Sequence, residues 1–246
     1  MVKFNSPKKR NALSKELVDD MNRVLDELES DNKVRSAILM ASEPGFFCAG
    51  ADLKERLKMT GEQSWETSNR LRATFHRFYN LQIPVIALID GPCLGGGLEI
   101  ALSCDMRVAT ENSLLGLPEV KLGILPGAGG TQKLARLIGL AKAKELILTG
   151  KRFKAPETLG YGILNYVEKE YEQAYNKALE LARTVNENGP VGVKMAKKSL
   201  NKAMELDIDQ GLLWEGECYR GVINTKDRVE ALKAFSEKRK PEFIGE

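Results

Sequence analysis

The stretch Cys93–Asp105, CLGGGLEIALSCD, sets three consecutive glycines (Gly95, Gly96 and Gly97) directly ahead of Leu98, Glu99 and an apolar run. Glycine has no Cβ, so its backbone can adopt positive φ and come close to a ligand. A helix beginning at about Gly97 would leave its first N–H groups without intrahelical acceptors, facing whatever lies ahead of them. Such donors can stabilise a developing negative oxygen, which is the work of an oxyanion hole. The plainer readings stand beside this one. Glycine clusters are commonly turns, and a glutamate in a first helical turn commonly complements the helix dipole, worth roughly 0.3–1 kcal/mol.

Two other segments bear on the same question. In FFCAGADLKER (46–56) a second glycine turn can present a backbone N–H near Ala51. Two such donors from separate loops suffice to grip one carbonyl oxygen. In LPEVKLGILPGAGGTQ (117–132) a second acid, Glu119, precedes another glycine cluster. Paired carboxylates on rigid elements suit chemistry in which one group takes a proton and the other gives one.

Working outward, SKELVDDMNRVLDELES (14–30) carries Leu17, Val18, Met21, Val24, Leu25 and Leu28 at helical spacing, with Ser14 as N-cap. RSAILMAS (35–42) and PVIALID (84–90) read as buried strands. The second is apolar throughout, as a strand covered on both faces should be. MRVAT and SLLGL predict short strands around a turn at Glu111–Asn112. After Thr131 the pattern is almost wholly helical: two helices broken at Gly139, then helical segments over 171–188, 191–207 and 225–239. An α/β core with a helical C-terminal region follows.

Composition narrows the function. Lysine and arginine number 37 against 34 acids, too even a balance for a nucleic-acid footprint. Cys48, Cys93, Cys104 and Cys218 lie far apart with no CxxC pair, which argues against zinc and for a reducing compartment. No apolar run is long enough to span a membrane, and the first residues lack the apolar centre of a secretory signal. Nucleotide fingerprints are absent, since Gln132 stands where the second glycine of GxxxxGK would fall, and there is no GxSxG elbow. The one histidine, His76, sits in a predicted helix and reads as a surface or packing residue.

Taken together, FFCAGADLKE, IDGPCLGGGLEIALSCDMRVA, LPEVKLGILPGAGGTQKLARLIG and DRVEALKAFSEKRKPEF resemble the crotonase, or enoyl-CoA hydratase/isomerase, family. Order and spacing agree from RNAL (10–13) onward. Within the family the chain is most similar to the methylglutaconyl-CoA hydratase branch, which includes AU-rich-RNA-binding members. The resemblance implies an α/β crotonase (ClpP-like) fold of repeated ββα units in two nearly perpendicular sheets. It divides the chain into a core over 1–185 and a helical trimerisation region over 186–246, in a homotrimer or a hexamer of paired trimers.

The activity implied is hydration of the 2,3 double bond of a 2-enoyl-CoA, short-chain or 3-methylglutaconyl, in fatty-acid or branched-chain amino-acid degradation. Coenzyme A enters as part of the substrate, with no separate cofactor and no metal. The resemblance assigns the oxyanion-hole N–H groups to Ala51 and Gly96 and the proton transfers to Glu99 and Glu119. It brings Ala49 to the adenine, Ala51, Asp52, Leu53 and Lys54 to the thioester and pantetheine, and Gly127 to the substrate. Phe235 and Lys238 either reach a neighbouring subunit's CoA or serve trimer packing and a solvated tail. Arg56 or Lys54 would receive a distal acyl carboxylate.

Two alternatives remain open: an enoyl-CoA isomerase, which generally lacks one of the two acids, and an RNA-binding protein. The acids Asp19, Asp20, Asp26, Glu27 and Glu29 on the first helix oppose RNA binding. The implied setting is the cytoplasm in a bacterium and the mitochondrial matrix in a eukaryote. A family strand hairpin ahead of RNAL is expected to be shortened or missing here, which would expose a sheet edge.

Overall fold

The computed structural model describes residues 1–246. Its first half runs β1 (Val2–Phe4), α1 (Lys15–Ser30), β2 (Ala37–Ala41), α2 (Leu53–Arg56), α3 (Gly61–Asn80), β3 (Val85–Ile89), β4 (Pro92–Leu94), α4 (Gly96–Ala101), β5 (Met106–Thr110) and β6 (Leu114–Gly116). A 3-10 turn at Glu119–Leu122 leads to α5 (Gly130–Ile138), α6 (Leu140–Thr149), β7 (Arg152–Lys154), α7 (Ala155–Leu159), β8 (Tyr166–Glu168) and α8 (Tyr171–Asn186). The chain ends with α9 (Pro190–Leu200), α10 (Ile208–Arg220) and α11 (Lys226–Glu237).

The strands form a five-stranded sheet in the order β1-β2-β3-β5-β8, parallel throughout, and a three-stranded sheet in the order β4-β6-β7. Twice in succession a strand of the large sheet is followed by one of the small sheet and then by a helix: β3–β4–α4, and β5–β6 through the 3-10 turn to α5. This is the expected ββα repeat.

Every residue of β2 and β3 is buried, as their uninterrupted apolar sequences require. Alternate side chains serve opposite faces. Ile38, Met40, Ile86 and Leu88 meet Ala174, Ala178 and Ala182 of α8, whose small side chains at four-residue intervals let the helix lie close to the sheet. Leu39, Ala87 and Ile89 face the larger core with Leu25, Phe75 and Phe78 from α1 and α3. Ser14 caps α1 as its sequence predicts, its hydroxyl accepting from the Leu17 N–H, and Gly139 separates α5 from α6.

The first strand is shortened rather than missing: it is three residues long and pairs with β2 at the sheet edge. Two expectations need correction. The almost wholly helical pattern after Thr131 hides two short strands, since β7 and β8 each join a sheet. Between residues 190 and 237 there are three helices rather than two, because the 191–207 pattern stops at Leu200 and α10 follows.

One buried ion pair fastens the C-terminal helices to the core. Lys197 of α9, 7% exposed, donates to Asp105 at 2.7 Å and to the Ile83 carbonyl at 2.9 Å. Asp105 also accepts the Val85 N–H at the start of β3. Removing one partner of such a pair leaves an uncompensated buried charge. Lys197→Met should therefore cost about 3 kcal/mol in urea unfolding at pH 7. The double variant with Asp105→Asn should recover part of the loss.

Candidate active site

Four backbone segments that end close together define the site. The small sheet continues beyond β4 through two isolated parallel bridges, Cys93 with Cys48 and Leu13 with Ala51. The Cys48 N–H donates to the Pro92 carbonyl at 3.0 Å and the Leu94 N–H to the Cys48 carbonyl at 3.1 Å. The Leu13 N–H donates to the Gly50 carbonyl at 2.8 Å. Segments 11–13 and 46–51 are thus two further rows alongside β4, and the glycine turn leaves from the end of β4.

The glycines are dictated by closeness. A methyl group on Gly97 would lie 2.3 Å from the Cys48 carbonyl oxygen, far inside contact distance. Gly95 turns the chain at φ +53°, a conformation side chains rarely tolerate, so that α4 can start at Gly96, one residue earlier than its sequence suggests. A Cβ on Gly50 would sit 3.4 Å from the Gly96 nitrogen, so the two expected donor bends are neighbours. Neither the Ala51 nor the Gly96 N–H has an acceptor within the chain.

Both acids border these bends. Glu99 is 3% exposed in the wholly buried helix α4. Its Oε1 accepts the Ala128 and Gly130 N–H groups, each at 2.8 Å, at the start of α5. One oxygen therefore caps a helix, though it is α5 and not Glu99's own helix as the plainer reading would have it, while Oε2 takes no hydrogen bond. Glu119 opens the 3-10 turn, and its Oε1 lies 3.1 Å from where a Cβ on Gly95 would be. Its Oε2 is sealed from solvent with no hydrogen-bond partner. Neither acid is in an ion pair; the ion-paired carboxylates lie elsewhere.

Burial raises the proton affinity of both acids, with different offsets. At Glu99 burial pushes the pKa up, while the Gly130 and Ala128 N–H groups and the charges of Lys133 and Arg72 pull it down. At Glu119 burial acts first and the nearby Glu99 charge adds to it, taking the pKa to about 7. Lys133, whose pKa burial lowers to about 8, donates to the Ser103 hydroxyl, which in turn donates to the Glu99 carbonyl.

The other expected residues divide into two groups. Gly127 adjoins the loop that holds Glu99, and its carbonyl accepts Arg72 Nε at 2.9 Å. Asp52 caps α2, accepting from the Lys54 and Glu55 N–H groups. Leu53 and Lys54 are exposed beside Ala51, and exposed Ala49 gives its N–H to the Arg10 carbonyl. Arg56 is half-buried, with Nη1 donating to the Ser64 carbonyl and the Ser68 hydroxyl. Phe235 is exposed on α11 and Lys238 directly follows that helix, also exposed; the role expected of them involves a neighbouring subunit. His76 is exposed on α3, away from both acids, bonded to Asn80. Lys133, Arg72 and Asn11 belong to the surroundings of the site and were not singled out from sequence, although Lys133 and Asn11 lie within quoted motifs.

A model of the enoyl-CoA hydratase/isomerase family matches residues 1–246. The mitochondrial methylglutaconyl-CoA hydratase of Rattus norvegicus is 47% identical over 240 residues, covering 96% of this chain and 76% of that protein. The mitochondrial enoyl-CoA hydratase domain-containing protein 2 of Mus musculus is 41% identical over 247 residues, covering 99% and 83%. The crystal structure of an enoyl-CoA hydratase from Bacillus anthracis superposes with a TM-score of 0.95 at 43% identity, covering 98% of this chain and 93% of that one. Paired acids beside two unpaired backbone donors, on this succession of ββα units, thus recur with the sequence of a known group of enzymes, and the chain belongs to the enoyl-CoA hydratase/isomerase family.

Proposed function

We propose that this protein is a hydro-lyase that adds water across the 2,3 double bond of a 2-enoyl-CoA thioester. The observation that carries the reading is the pair of buried, ion-pair-free carboxylates at the bends bearing the Ala51 and Gly96 N–H groups. In this reading the thioester oxygen accepts both N–H groups, which stabilise the enolate-like charge that develops when Cβ is attacked. Losing one such donor typically costs ~2.7–4 kcal/mol. Glu99, held through Oε1, takes the proton of the attacking water at Oε2. Glu119, protonated near neutrality, delivers a proton to Cα. Two acids with different surroundings suit these two roles. Keeping both favours hydration over the isomerase alternative, in which one carboxylate relays one proton.

The finer reading is a carboxylated acyl group such as 3-methylglutaconyl. Similarity to the rat hydratase supports it, as does an arginine pair on the wall beside Gly127. Arg56 and Ser68 meet, Ser68 Cβ lies 4.0 Å from where a Cβ on Gly127 would be, and Arg72 holds the Gly127 carbonyl. Neither guanidinium has a carboxylate partner within the chain. Exposed Leu212, Leu213, Val229, Leu232 and Phe235 on α10 and α11 suit the packing of a trimer, paired into a hexamer. No helix is long and apolar enough to cross a membrane. Cytoplasmic or mitochondrial-matrix residence, and coenzyme A carried only as part of the substrate, complete the proposal. RNA binding finds little support, because Arg70 and Arg77 of α3 already pair with Asp19, Asp26 and Glu29 on α1.

Four outcomes are expected. Purified protein should bleach the conjugated thioester absorbance of crotonyl-CoA, with kcat/KM falling above about pH 7 as Glu119 loses its proton. Glu119→Gln should lower kcat at least ~10²-fold; full activity in that variant would refute the assignment. Stability should respond as well. Glu119 has a folded-state pKa of about 7 against an ordinary 4.5, so the native state holds a proton that the unfolded chain releases between those values. Stability therefore falls as pH rises through that window. The Tm advantage of Glu119→Gln should be near zero at pH 4 and reach several degrees at pH 8. Finally, Arg56→Met should raise KM for 3-methylglutaconyl-CoA by ~10-fold or more and leave that for crotonyl-CoA unchanged, as loss of one charge-assisted hydrogen bond predicts.

A further inference from the structure

The N-terminal segment Arg10–Leu13 makes an unusual set of contacts with the loop leading to Ala51. Asn11 is 2% exposed, and its side-chain amide donates to the carbonyls of Phe46 and Phe47, both at 3.1 Å. Its Oδ1 accepts the Ser6 N–H at 2.9 Å, so both ends of the amide are used. The Asn11 carbonyl accepts the Cys48 thiol, the Arg10 carbonyl accepts the Ala49 N–H, and the Leu13 N–H donates to the Gly50 carbonyl. Five successive residues, 46 to 50, are thus each held from the same short segment. The first residue beyond them is Ala51, whose N–H is left free.

Leu13 reaches the second bend too. Its Cδ1 would lie 2.5 Å from a Cβ on Gly96, so it rests directly against the Gly96 backbone. The geometry comes at the cost of backbone strain. Arg10 and Asn11 are consecutive non-glycine residues with φ of +54° and +52°, and the only other such residue in the chain is Lys238. Strain of this kind persists only where surrounding structure over-determines it, and it clusters at functional sites.

We propose that Asn11 and Leu13 are positioning residues that fix the spacing of the Ala51 and Gly96 N–H groups, and so set the strength with which the site polarises a thioester carbonyl. This deepens the hydratase reading and rests on it. Neither residue touches a reacting atom; Asn11 acts through the 46–50 loop and Leu13 through contact with Gly96. A displacement well under the length of a bond weakens a hydrogen bond aimed at a transition state more than it weakens ground-state binding.

The test uses Asn11→Gly, which permits positive φ but deletes the side-chain bonds, and Leu13→Val, a smaller change that removes the Cδ1 contact with Gly96. Each is compared with the unaltered protein and with Glu119→Gln in crotonyl-CoA hydration and in binding 4-aminocinnamoyl-CoA. The absorption band of that thioester moves to longer wavelength when its carbonyl oxygen is hydrogen-bonded. The expected result is a kcat at least ~20-fold lower for Asn11→Gly with KM within about threefold, a reduced red shift at saturating probe, and a smaller loss of both in Leu13→Val. Glu119→Gln should lose turnover and keep the red shift. A full red shift and kcat in both folded variants would overturn the proposal while leaving the hydratase reading intact. Absence of turnover and of any red shift in the unaltered protein would overturn both. Should Asn11→Gly fail to fold, an unchanged red shift in Leu13→Val still refutes the positioning role.

Discussion

The closest approach in the site is between two backbones. The Cys48 carbonyl passes so near Gly97 that no side chain fits there, and everything chemical in the site is arranged around that crossing. Because the chains run this close, the bends at Gly50–Ala51 and Gly95–Gly96 lie side by side and their donors share one small region. Backbone donors fixed by a sheet cannot reorganise as charge develops, which is the property that makes such donors effective. The glycines are therefore a packing requirement first, and the chemistry follows from the packing.

The same closeness explains why two carboxylic acids are buried at one place. Burial alone would favour the neutral form of each. Two N–H groups at the start of α5 stabilise negative charge on Glu99, and that charge in turn keeps the proton on Glu119. The sealed, unpartnered Oε2 of Glu119 is costly for a folded protein to maintain. In the proposed reaction that carboxyl, protonated, would face the substrate.

Much of this could be read from the residues. Continuous apolar runs identify β2 and β3, Ser14 marks the start of α1, and the glycine spacing around Glu99 points to a close backbone approach. The three-residue strands β7 and β8 were not readable, because RFK and YVE are too short to show periodicity and exist as strands only through their partners. Asn11 was hidden for a related reason. Its amide bonds span 35 and 36 residues of sequence, and nothing local distinguishes a brace from an ordinary turn residue. Phe235 and Lys238 differ again: their expected place, against a neighbouring subunit's CoA or in trimer packing, is a property of an assembly, and on one chain both are simply exposed at the end of α11.

Cys48 and Cys93 pair across the bridge beside the glycine turn, both fully enclosed, with the Cys48 thiol donating to the Asn11 carbonyl. Enclosure pushes Cys48 up to about 12 and Cys93 well above its ordinary value, so neither forms a thiolate while the site is shut. An alkylating reagent can modify them only when these rows part. The labelling rate of this pair is thus a built-in gauge of how often the catalytic framework breathes, legible by mass spectrometry without any substrate present.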